Sequence, residues 1–459
     1  MRIIIENCVF MNGGDSAINI ALRKILLDTF PNAELKFADS GLPAIAKYYP
    51  EIDFIKLPSF EMDRSPLIRL AARMFGKYRK YLLVRKIHMS LSVTATRILS
   101  ALGLPLPTPT MRAIQPYLDA DLVVTTGGTY LLSKYDYGRR ILEFRKDFHL
   151  GKPLVAFTQS FEAFADDFRS RDLAPLLRRM ELILVRHETS RAHVAALTDR
   201  SDNVVTVADS VFALWKSGPT SLAERRVRNG RPAHDTLRIA IAVRKLKAYG
   251  DRDAETGAEI FKRSVNAAVT ALVRDKGAEV TFLSTCQGIP EYWTDDSAIA
   301  MDFVADLPED VKPHVDVNRS FHTPDDLIGV LQGFDGVIAC RLHMAILSIC
   351  ANTPVLPVSY EPKFEETFAE LGLPELVIGI GEIEPDHFTA QALAWTETLD
   401  DVAAALHEAA PRLKASAESA GPELRQALAA TGIAAAASQA PRAKPASSHP
   451  SPASDGPSE

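Results

Sequence analysis

Cysteine is scarce in this sequence, with four residues among 459. Cys8, Cys286, Cys340 and Cys350 show no paired spacing of the kind that binds a metal, and three of them lie in apolar runs. We therefore expect reduced thiols in the core of a cytoplasmic protein, and no metal site.

Long apolar runs and a strong excess of positive charge are also absent. No stretch of about 18 uncharged apolar residues occurs, so no membrane-spanning segment is predicted. Residues 1–6 predict one short strand before a glycine-rich turn, without the longer apolar region of a signal peptide. The formal net charge of −6 argues against a general nucleic-acid binder. We expect a protein that stays in the cytoplasm and does not bind nucleic acid.

Acidic residues are missing from one segment, residues 64–118, which holds ten basic residues. Arg69, Arg73, Lys77 and Lys80 recur at helical spacing, with apolar residues elsewhere on the turn, which predicts an amphipathic basic helix. Two interpretations stay open. This face is either the solvated side of an ordinary covering helix or a surface that docks on an anionic membrane, at the inner face, where each basic residue contributes about 1 kcal/mol. Docking would suit an enzyme whose acceptor is carried on a lipid.

The rest of the chain predicts an α/β fold with two parallel sheets. A chain of 459 residues exceeds the roughly 250–300 residues of one hydrophobic core. Short apolar runs alternate with helical patterns, as they do in parallel sheets covered by helices. The first series of runs is at residues 2–5, 122–125, 154–157, 182–185 and 204–207, and the second is at 237–243, 279–283, 336–340 and 354–358.

We therefore expect two Rossmann-like domains that face each other across a cleft. The N-terminal domain would span residues 1–220, with the basic segment as a helical insertion, and the C-terminal domain residues 237–414. Residues 216–236 are polar and lack sustained apolar periodicity, which predicts a linker. From residue 415 the sequence is rich in Ala, Pro and Ser, and we expect residues 415–459 to form a disordered tail.

The most informative turn lies at Arg341 and His343. Residues 336–340 predict a buried strand and residues 344–350 a helix, so both side chains come at a strand-to-helix turn. Such turns lie at the carboxyl edge of a parallel sheet, where ligands bind and free helix amides favour an anion. A lone histidine is more often structural, but at this position it could exchange a proton with a bound anion.

Other predicted strands end in residues that fit the same cleft. Arg244 follows residues 237–243 and could bind phosphate or carboxylate through two hydrogen bonds. Lys363 follows residues 354–358 and could reach the same anion, although a surface role explains it equally well. Arg186 follows residues 182–185, either as part of a helix start or as a cleft residue.

Two glycine turns complete the candidate site. Gly14 and Asp15 follow the first strand, where Asp15 is either a helix cap or a ligand contact. Gly128 lies in a similar turn after residues 122–125. Neither turn has the full dinucleotide fingerprint, so no nicotinamide or flavin cofactor is inferred.

In combination, these motifs resemble the polysaccharide pyruvyl transferase family. The resemblance rests on the turn ending at Asp15, the Gly127-Gly128 turn, the Val-Arg-x-x-x-Ser run of residues 185–190, Asp209, Arg244, the Arg341-Leu342-His343 run and the Pro-Val-Leu-Pro-Val-Ser-Tyr-Glu-Pro-Lys run ending at Lys363. It covers the chain from residue 1 to about 373, without the basic segment. It implies a fold similar to glycosyltransferases of the B type.

The resemblance also implies an activity, transfer from phosphoenolpyruvate to two hydroxyls of a saccharide to form a pyruvate ketal during surface polysaccharide or glycolipid assembly. In that reaction Arg244 and Arg341 would hold the donor, Leu342 would line its pocket, and His343 would be the general acid. No cofactor or metal is implied. One motif departs from the family: where it tends to have Gly-Gln-x-x-Gly-Pro, residues 158–163 read Thr-Gln-Ser-Phe-Glu-Ala.

Two rival functions stay open from the residues alone. The same architecture could support a sugar-nucleotide glycosyltransferase. A noncatalytic protein that binds the membrane surface through residues 64–118 would explain the basic segment without any chemistry. The acceptor sugar, the bridged hydroxyls, the ketal configuration and the oligomeric state are not encoded in any motif described above.

Overall fold

Two parallel sheets form the framework of the computed structural model, which describes residues 1–42, 44–76, 79–132, 137–165 and 167–430. The strands of the first sheet are β1 Arg2–Cys8, β2 Glu34–Asp39, β3 Phe54–Lys56, β4 Leu122–Thr125, β5 Leu154–Gln159, β6 Leu182–Val185 and β7 Val204–Thr206. Those of the second are β8 Arg238–Ala242, β9 Glu279–Phe282, β10 Val315–Val317, β11 Gly336–Ala339, β12 Val355–Ser359 and β13 Ile378–Gly379.

Helices connect the strands and cover both sheets. Those of the first half are α1 Gly13–Thr29, α2 Pro58–Asp63, α3 Pro66–Phe75, α4 Arg79–Ala101, α5 Pro109–Leu118, α6 Gly138–Leu150, α7 Phe168–Arg179 and α8 Glu188–Thr198. Then follow α9 Leu222–Arg228, α10 Ala254–Lys276, α11 Asp296–Ala305, α12 Pro324–Leu331, α13 Leu342–Cys350, α14 Lys363–Leu371, α15 Pro385–Thr396, α16 Leu399–Glu418 and α17 Ala420–Ala430. Short 3-10 turns lie at Ala44–Lys47, Ser210–Leu214, Lys312–His314, Pro374–Leu376 and Ile380–Glu382.

Both sheets reverse their strand order at the first strand. The first sheet has the order β3-β2-β1-β4-β5-β6-β7 and the second β10-β9-β8-β11-β12-β13, with every pairing parallel. The reversals lie between β1 and β4 and between β8 and β11. Loops diverge at such a point and leave a crevice at the carboxyl ends of the strands. The predicted α/β class with two Rossmann-like sheets is therefore confirmed.

Sequence patterns located the central strands better than the edge strands. β4 and β6 match the predicted ranges, and the other seven predicted strands differ only at their ends. Four strands were not predicted: β2 and β3 at one edge of the first sheet, and β10 and β13 at the two edges of the second. Three of these have only two or three residues, too few for a recognisable alternation.

The predicted linker, residues 216–236, contains a packed helix. In α9, Arg225 is buried and donates to Thr353 Oγ1 at 3.0 Å, and Arg226 pairs with Asp335 at 3.0 Å. The predicted domain boundaries at 220 and 237 both fall between β7 and β8. Polar composition predicted a linker, but buried residues of the second half bind both of these arginines.

The prediction that the tail becomes disordered at residue 415 is wrong for its first part. α16 continues to Glu418, and α17 packs on α1, so that Ala417, Ala420, Leu424 and Leu428 are buried. These residues recur every three or four positions, which gives an amphipathic helix within an alanine-rich composition. The rest of the predicted tail, residues 431–459, lies outside the described residues.

The basic segment is not one helix across Arg69 and Lys80. α3 ends at Phe75, and Gly76 follows with φ +58°, a backbone conformation that favours glycine and does not continue a helix. α4 begins three residues later, at Arg79. Lys77, part of the predicted helix, lies outside the described residues.

Replacing Leu428 by Ala tests the packing of α17. We expect the free energy of unfolding to fall by about 2–4 kcal/mol, because a fully buried leucine is truncated. Urea denaturation measures the change. Gln426→Ala, an exposed substitution on the same helix, should change it by less than about 0.5 kcal/mol. Equal, negligible effects of both substitutions would show that α17 does not pack on α1.

Candidate active site

The loop after β1 meets the second half of the molecule at the crevice between the sheets. Gly13 donates its amide hydrogen to the carbonyl oxygen of Thr285, at 2.9 Å. A Cβ atom on Gly14 would lie 2.7 Å from Nδ1 of His343, so only glycine fits there without displacing the imidazole. Asn12, and not Asp15, caps α1, since its side chain accepts from the Gly14 amide at 3.0 Å.

His343 lies between the two halves. It is the second residue of α13, and its side chain is 19% exposed. Its Nε2 atom is 3.7 Å from a carboxylate oxygen of Asp209, which belongs to the first half. The imidazole is therefore held between Gly14 on one side and Asp209 on the other, while part of it stays open to solvent.

Asp209 is fixed by a buried arginine. Nη1 of Arg186 lies 2.7 Å from the carboxylate, and Nε of Arg186 donates to the carbonyl oxygen of Thr158 at 2.8 Å. Burial alone would raise the pKa of Asp209, but Arg186 and His343 outweigh it and hold the pKa below its ordinary value. Asp209 thus carries a negative charge behind His343. Arg186, predicted as a cleft residue or part of a helix start, is only 2% exposed.

Arg341 already has a carboxylate partner. Its Nε and Nη2 atoms donate to the two carboxylate oxygens of Asp296, the latter at 2.7 Å, and Ser284 also donates to Asp296, at 2.5 Å. This side of the Arg341 guanidinium therefore faces Asp296, and its role in holding the donor stays a prediction. No pattern in the sequence linked these residues, which are 45 positions apart.

Arg244 has no such partner. Its Nη1 atom donates to the Tyr360 hydroxyl at 2.5 Å, and its guanidinium lies 4.9 Å from the centre of the Tyr360 ring. Its Nε atom is buried without a hydrogen-bond partner, and no carboxylate among the described residues lies within ion-pair distance. Burial raises the pKa of Tyr360, while Arg244 and Arg341 lower it less. The guanidinium groups of Arg244 and Arg341 therefore both lie near the neutral phenol of Tyr360.

The remaining candidates line the same cluster. Lys363 begins α14 and pairs with Glu361 at 2.6 Å. Leu342, 7% exposed, begins α13. Burial raises the pKa of Asp15, although His343, Arg186, Lys363 and Arg341 oppose this rise, in that order. Asp15 is thus within electrostatic reach of all four side chains.

Gly128 lies farther along the first sheet, beside the loop that departs from the family pattern. It has φ +138°, and its carbonyl oxygen accepts from the Ser160 amide at 2.9 Å. Thr158, at the position of the first glycine in the family pattern, has φ +44°. The backbone therefore keeps a conformation typical of glycine, although a β-branched residue is strained in it. No group of three or more His, Cys, Asp or Glu within the described ranges is arranged to hold a metal ion.

Comparison with known proteins identifies a family and a curated relative. The model of the polysaccharide pyruvyl transferase family matches residues 12–362. The amylovoran biosynthesis protein AmsJ of Erwinia amylovora is 25% identical over 260 residues, which are 56% of this chain and 60% of AmsJ. The match thus spans less than two thirds of that relative.

Comparison with solved structures identifies the fold. The crystal structure of Anabaena HepE in complex with UDP-glucose superposes with a TM-score of 0.55 at 12% identity, over 94% of this chain and 100% of that one. A glycosyltransferase from Rickettsia africae gives a TM-score of 0.53 at 12% identity, over 94% and 98%. At such identities the likeness shows the fold alone, which is of the glycosyltransferase B type.

Comparing Gly with Ala at residue 158 tests the strain in the departing loop. Thr158 is buried and its hydroxyl donates to Ser210, so both substitutions lose this hydrogen bond. We expect the Gly variant to have a free energy of unfolding about 1 kcal/mol above that of the Ala variant, because only glycine adopts a positive φ without strain. At Thr206, which ends β7 without a positive φ, the Ala variant should instead exceed the Gly variant by about 0.5–1 kcal/mol. Urea denaturation measures all four variants, and the same order at both positions would refute the strain.

Proposed function

The chain belongs to the polysaccharide pyruvyl transferase family, and from this premise we propose that it moves the enolpyruvyl group of phosphoenolpyruvate to a saccharide. The product is a pyruvate ketal that bridges two hydroxyls of the acceptor. The transfer belongs to the assembly of a surface polysaccharide or glycolipid, as the name of the relative AmsJ suggests.

The observation that carries the proposal is the unneutralised guanidinium of Arg244. The other cations of the cluster each have a carboxylate: Arg341 has Asp296, Arg186 has Asp209, and Lys363 has Glu361. A half-buried cation without a counter-ion favours an anionic ligand. Phosphoenolpyruvate supplies two anionic groups within one small molecule, and the free amides at the start of α13 favour the same charge.

His343 is the general acid of the proposed reaction. Its proton goes to the methylene carbon of the donor, which makes C2 electrophilic. A first sugar hydroxyl then adds to C2 and returns a proton to His343. A second hydroxyl adds as the C2–oxygen bond to phosphate breaks, and its proton leaves with the phosphate, so that inorganic phosphate departs and the ketal closes.

Asp209 and Arg186 orient His343 for this proton transfer. The negative charge of the carboxylate lies 3.7 Å from Nε2. Arg186 fixes the carboxylate from behind, at 2.7 Å, so that the histidine keeps one orientation. Gly14 limits movement on the Nδ1 side.

The acceptor is a saccharide that approaches from the first half of the molecule. Asp15 lies in the first turn of α1, next to the cation cluster, and its carboxylate can accept hydrogen bonds from sugar hydroxyls. We propose that the saccharide is carried on a lipid and that the reaction takes place in the cytoplasm, at the inner face of the membrane, without a metal or organic cofactor.

A donor screen tests the proposed reaction against the glycosyltransferase alternative. The purified protein is mixed with candidate saccharides and either phosphoenolpyruvate or nucleotide sugars. We expect acceptor-dependent release of phosphate from phosphoenolpyruvate, and a matching pyruvate-derived mass increment on the acceptor. Protection from thermal unfolding by a nucleotide sugar alone, without phosphate release, would overturn the proposal.

Two substitutions should separate chemistry from donor binding. His343→Gln should lower kcat by about 10²–10⁴-fold and leave protection by phosphoenolpyruvate against thermal unfolding intact. Arg244→Met should raise KM for phosphoenolpyruvate, because a charge-assisted contact is lost. The exposed His234→Gln and Lys247→Met are matched controls without effect on either constant. Parental kinetics in both site variants would contradict the assigned roles.

A further inference from the structure

The helices of the basic segment expose an unusual amount of apolar surface. Thirteen large apolar side chains of the described residues are exposed, and nine of them lie between residues 67 and 104. These nine are Leu67, Leu70, Met74, Leu83, Ile87, Leu91, Ile98, Leu102 and Leu104. Clustered exposure of this kind marks an interaction surface, whereas single exposed residues need no explanation.

On α3, the apolar face is only half covered by the protein. Ile68 and Ala71 are buried, whereas Leu67, Leu70 and Met74, three or four positions apart, face solvent beside them. Met74 is 65% exposed. The helix therefore presents an apolar ridge outward as well as inward.

On α4, a second apolar row runs along the exposed face. Leu83, Ile87 and Leu91 are four positions apart and Ile98 continues the row, while Met89 and Val93 point inward. No helix among the described residues is long and apolar enough to cross a bilayer. The two rows are suited to lying on a surface, not to spanning one.

Basic side chains border both rows. Arg69, Arg73, Arg79 and Lys80 are exposed, and none of them forms an ion pair with another described residue. By contrast, Arg85 in the same segment is bound to Asp63. Four unpaired cations next to exposed leucines and isoleucines complement an anionic lipid surface, in which apolar side chains enter the acyl boundary.

One end of this surface lies at the same edge of the molecule as the crevice. Asp63 accepts from Arg85 of α4 at 2.8 Å and from Arg139, the second residue of α6, at 3.0 Å. α6 starts at the carboxyl edge of the first sheet because it follows β4. At the other end of α6, the carbonyl oxygen of His149 accepts from Arg97. α3 and the start of α4 therefore lie at the edge that carries the site.

We propose that α3 and α4 form a docking surface for a bilayer rich in anionic phospholipid. The side chains of the two apolar rows enter the acyl boundary of the bilayer, and the phospholipid headgroups pair with Arg69, Arg73, Arg79 and Lys80. A second copy of the chain is a poorer occupant, because a symmetric contact would place these four cations against themselves. Docking brings the crevice close to an acceptor held at the membrane. This inference rests on the proposed lipid-linked acceptor, and it holds for any donor.

Vesicle co-sedimentation tests the docking surface without donor or acceptor. We expect binding to vesicles of equal parts phosphatidylglycerol and phosphatidylcholine, weak binding to phosphatidylcholine alone, and release by salt. Arg69→Gln with Arg73→Gln should lower the partition coefficient roughly fivefold for each charge removed. Leu83→Ser, Ile87→Ser and Leu91→Ser combined should lower it roughly tenfold or more.

Matched variants elsewhere on the surface give the controls. Arg263→Gln with Arg412→Gln removes two exposed charges, and Val227→Ser with Met301→Ser removes two exposed apolar side chains. Both should bind as the parent does, and circular dichroism confirms that every variant is folded. Equal loss in controls and test variants, or no preference for phosphatidylglycerol, would overturn the proposal. Self-association in sedimentation that the serine variant abolishes would assign the surface to a second copy instead.

Discussion

Gly14 and His343 come from opposite halves of the molecule, and the absence of a side chain at residue 14 lets the two loops touch. A Cβ atom there would lie 2.7 Å from the imidazole Nδ1. The amide of Gly13 fixes the same loop to Thr285 at 2.9 Å. The loops that follow β1, β7, β9 and β11 therefore meet at one place. Side chains that are remote in sequence, such as Asp209 and His343, can then act on one another.

Charge in the crevice is balanced almost pair by pair. Burying a charged group without a partner is costly, and the carboxylates of Asp209 and Asp296 offset that cost for Arg186 and Arg341. A neutral phenol beside Arg244 orients the guanidinium but leaves its charge uncompensated. Arg186 and Arg341 are therefore neutralised by carboxylates within the fold, whereas the charge of Arg244 is not neutralised and favours an anionic ligand. Position at a strand end is shared by all three arginines and does not reveal this difference.

Sequence patterns predicted the parts of the fold that depend on local periodicity. The buried runs of β4 and β6 were located without error, because a fully buried parallel strand is a continuous apolar run. Long-range pairing had no such signal, so the partnership of Arg341 with Asp296 was missed. Composition misled at α17, where buried residues in an alanine-rich stretch resemble a disordered tail. The turns that carry the candidate site were found because strand ends in parallel sheets share an edge, whereas side-chain partners depend on packing.

The distribution of charge along the chain favours the same docking surface as the exposed apolar rows of α3 and α4. The net charge of −6 divides into +10 on residues 64–118 and −16 on the rest of the sequence. An anionic surface attracts the first part and repels the second, and screening over about 8 Å at physiological salt confines both effects to the part that approaches closest. In the proposed docking, charge would thus set the orientation before apolar contacts form. Because Asp63 bonds to both α4 and the start of α6, docking through α3 and the start of α4 would hold the crevice edge next to the membrane.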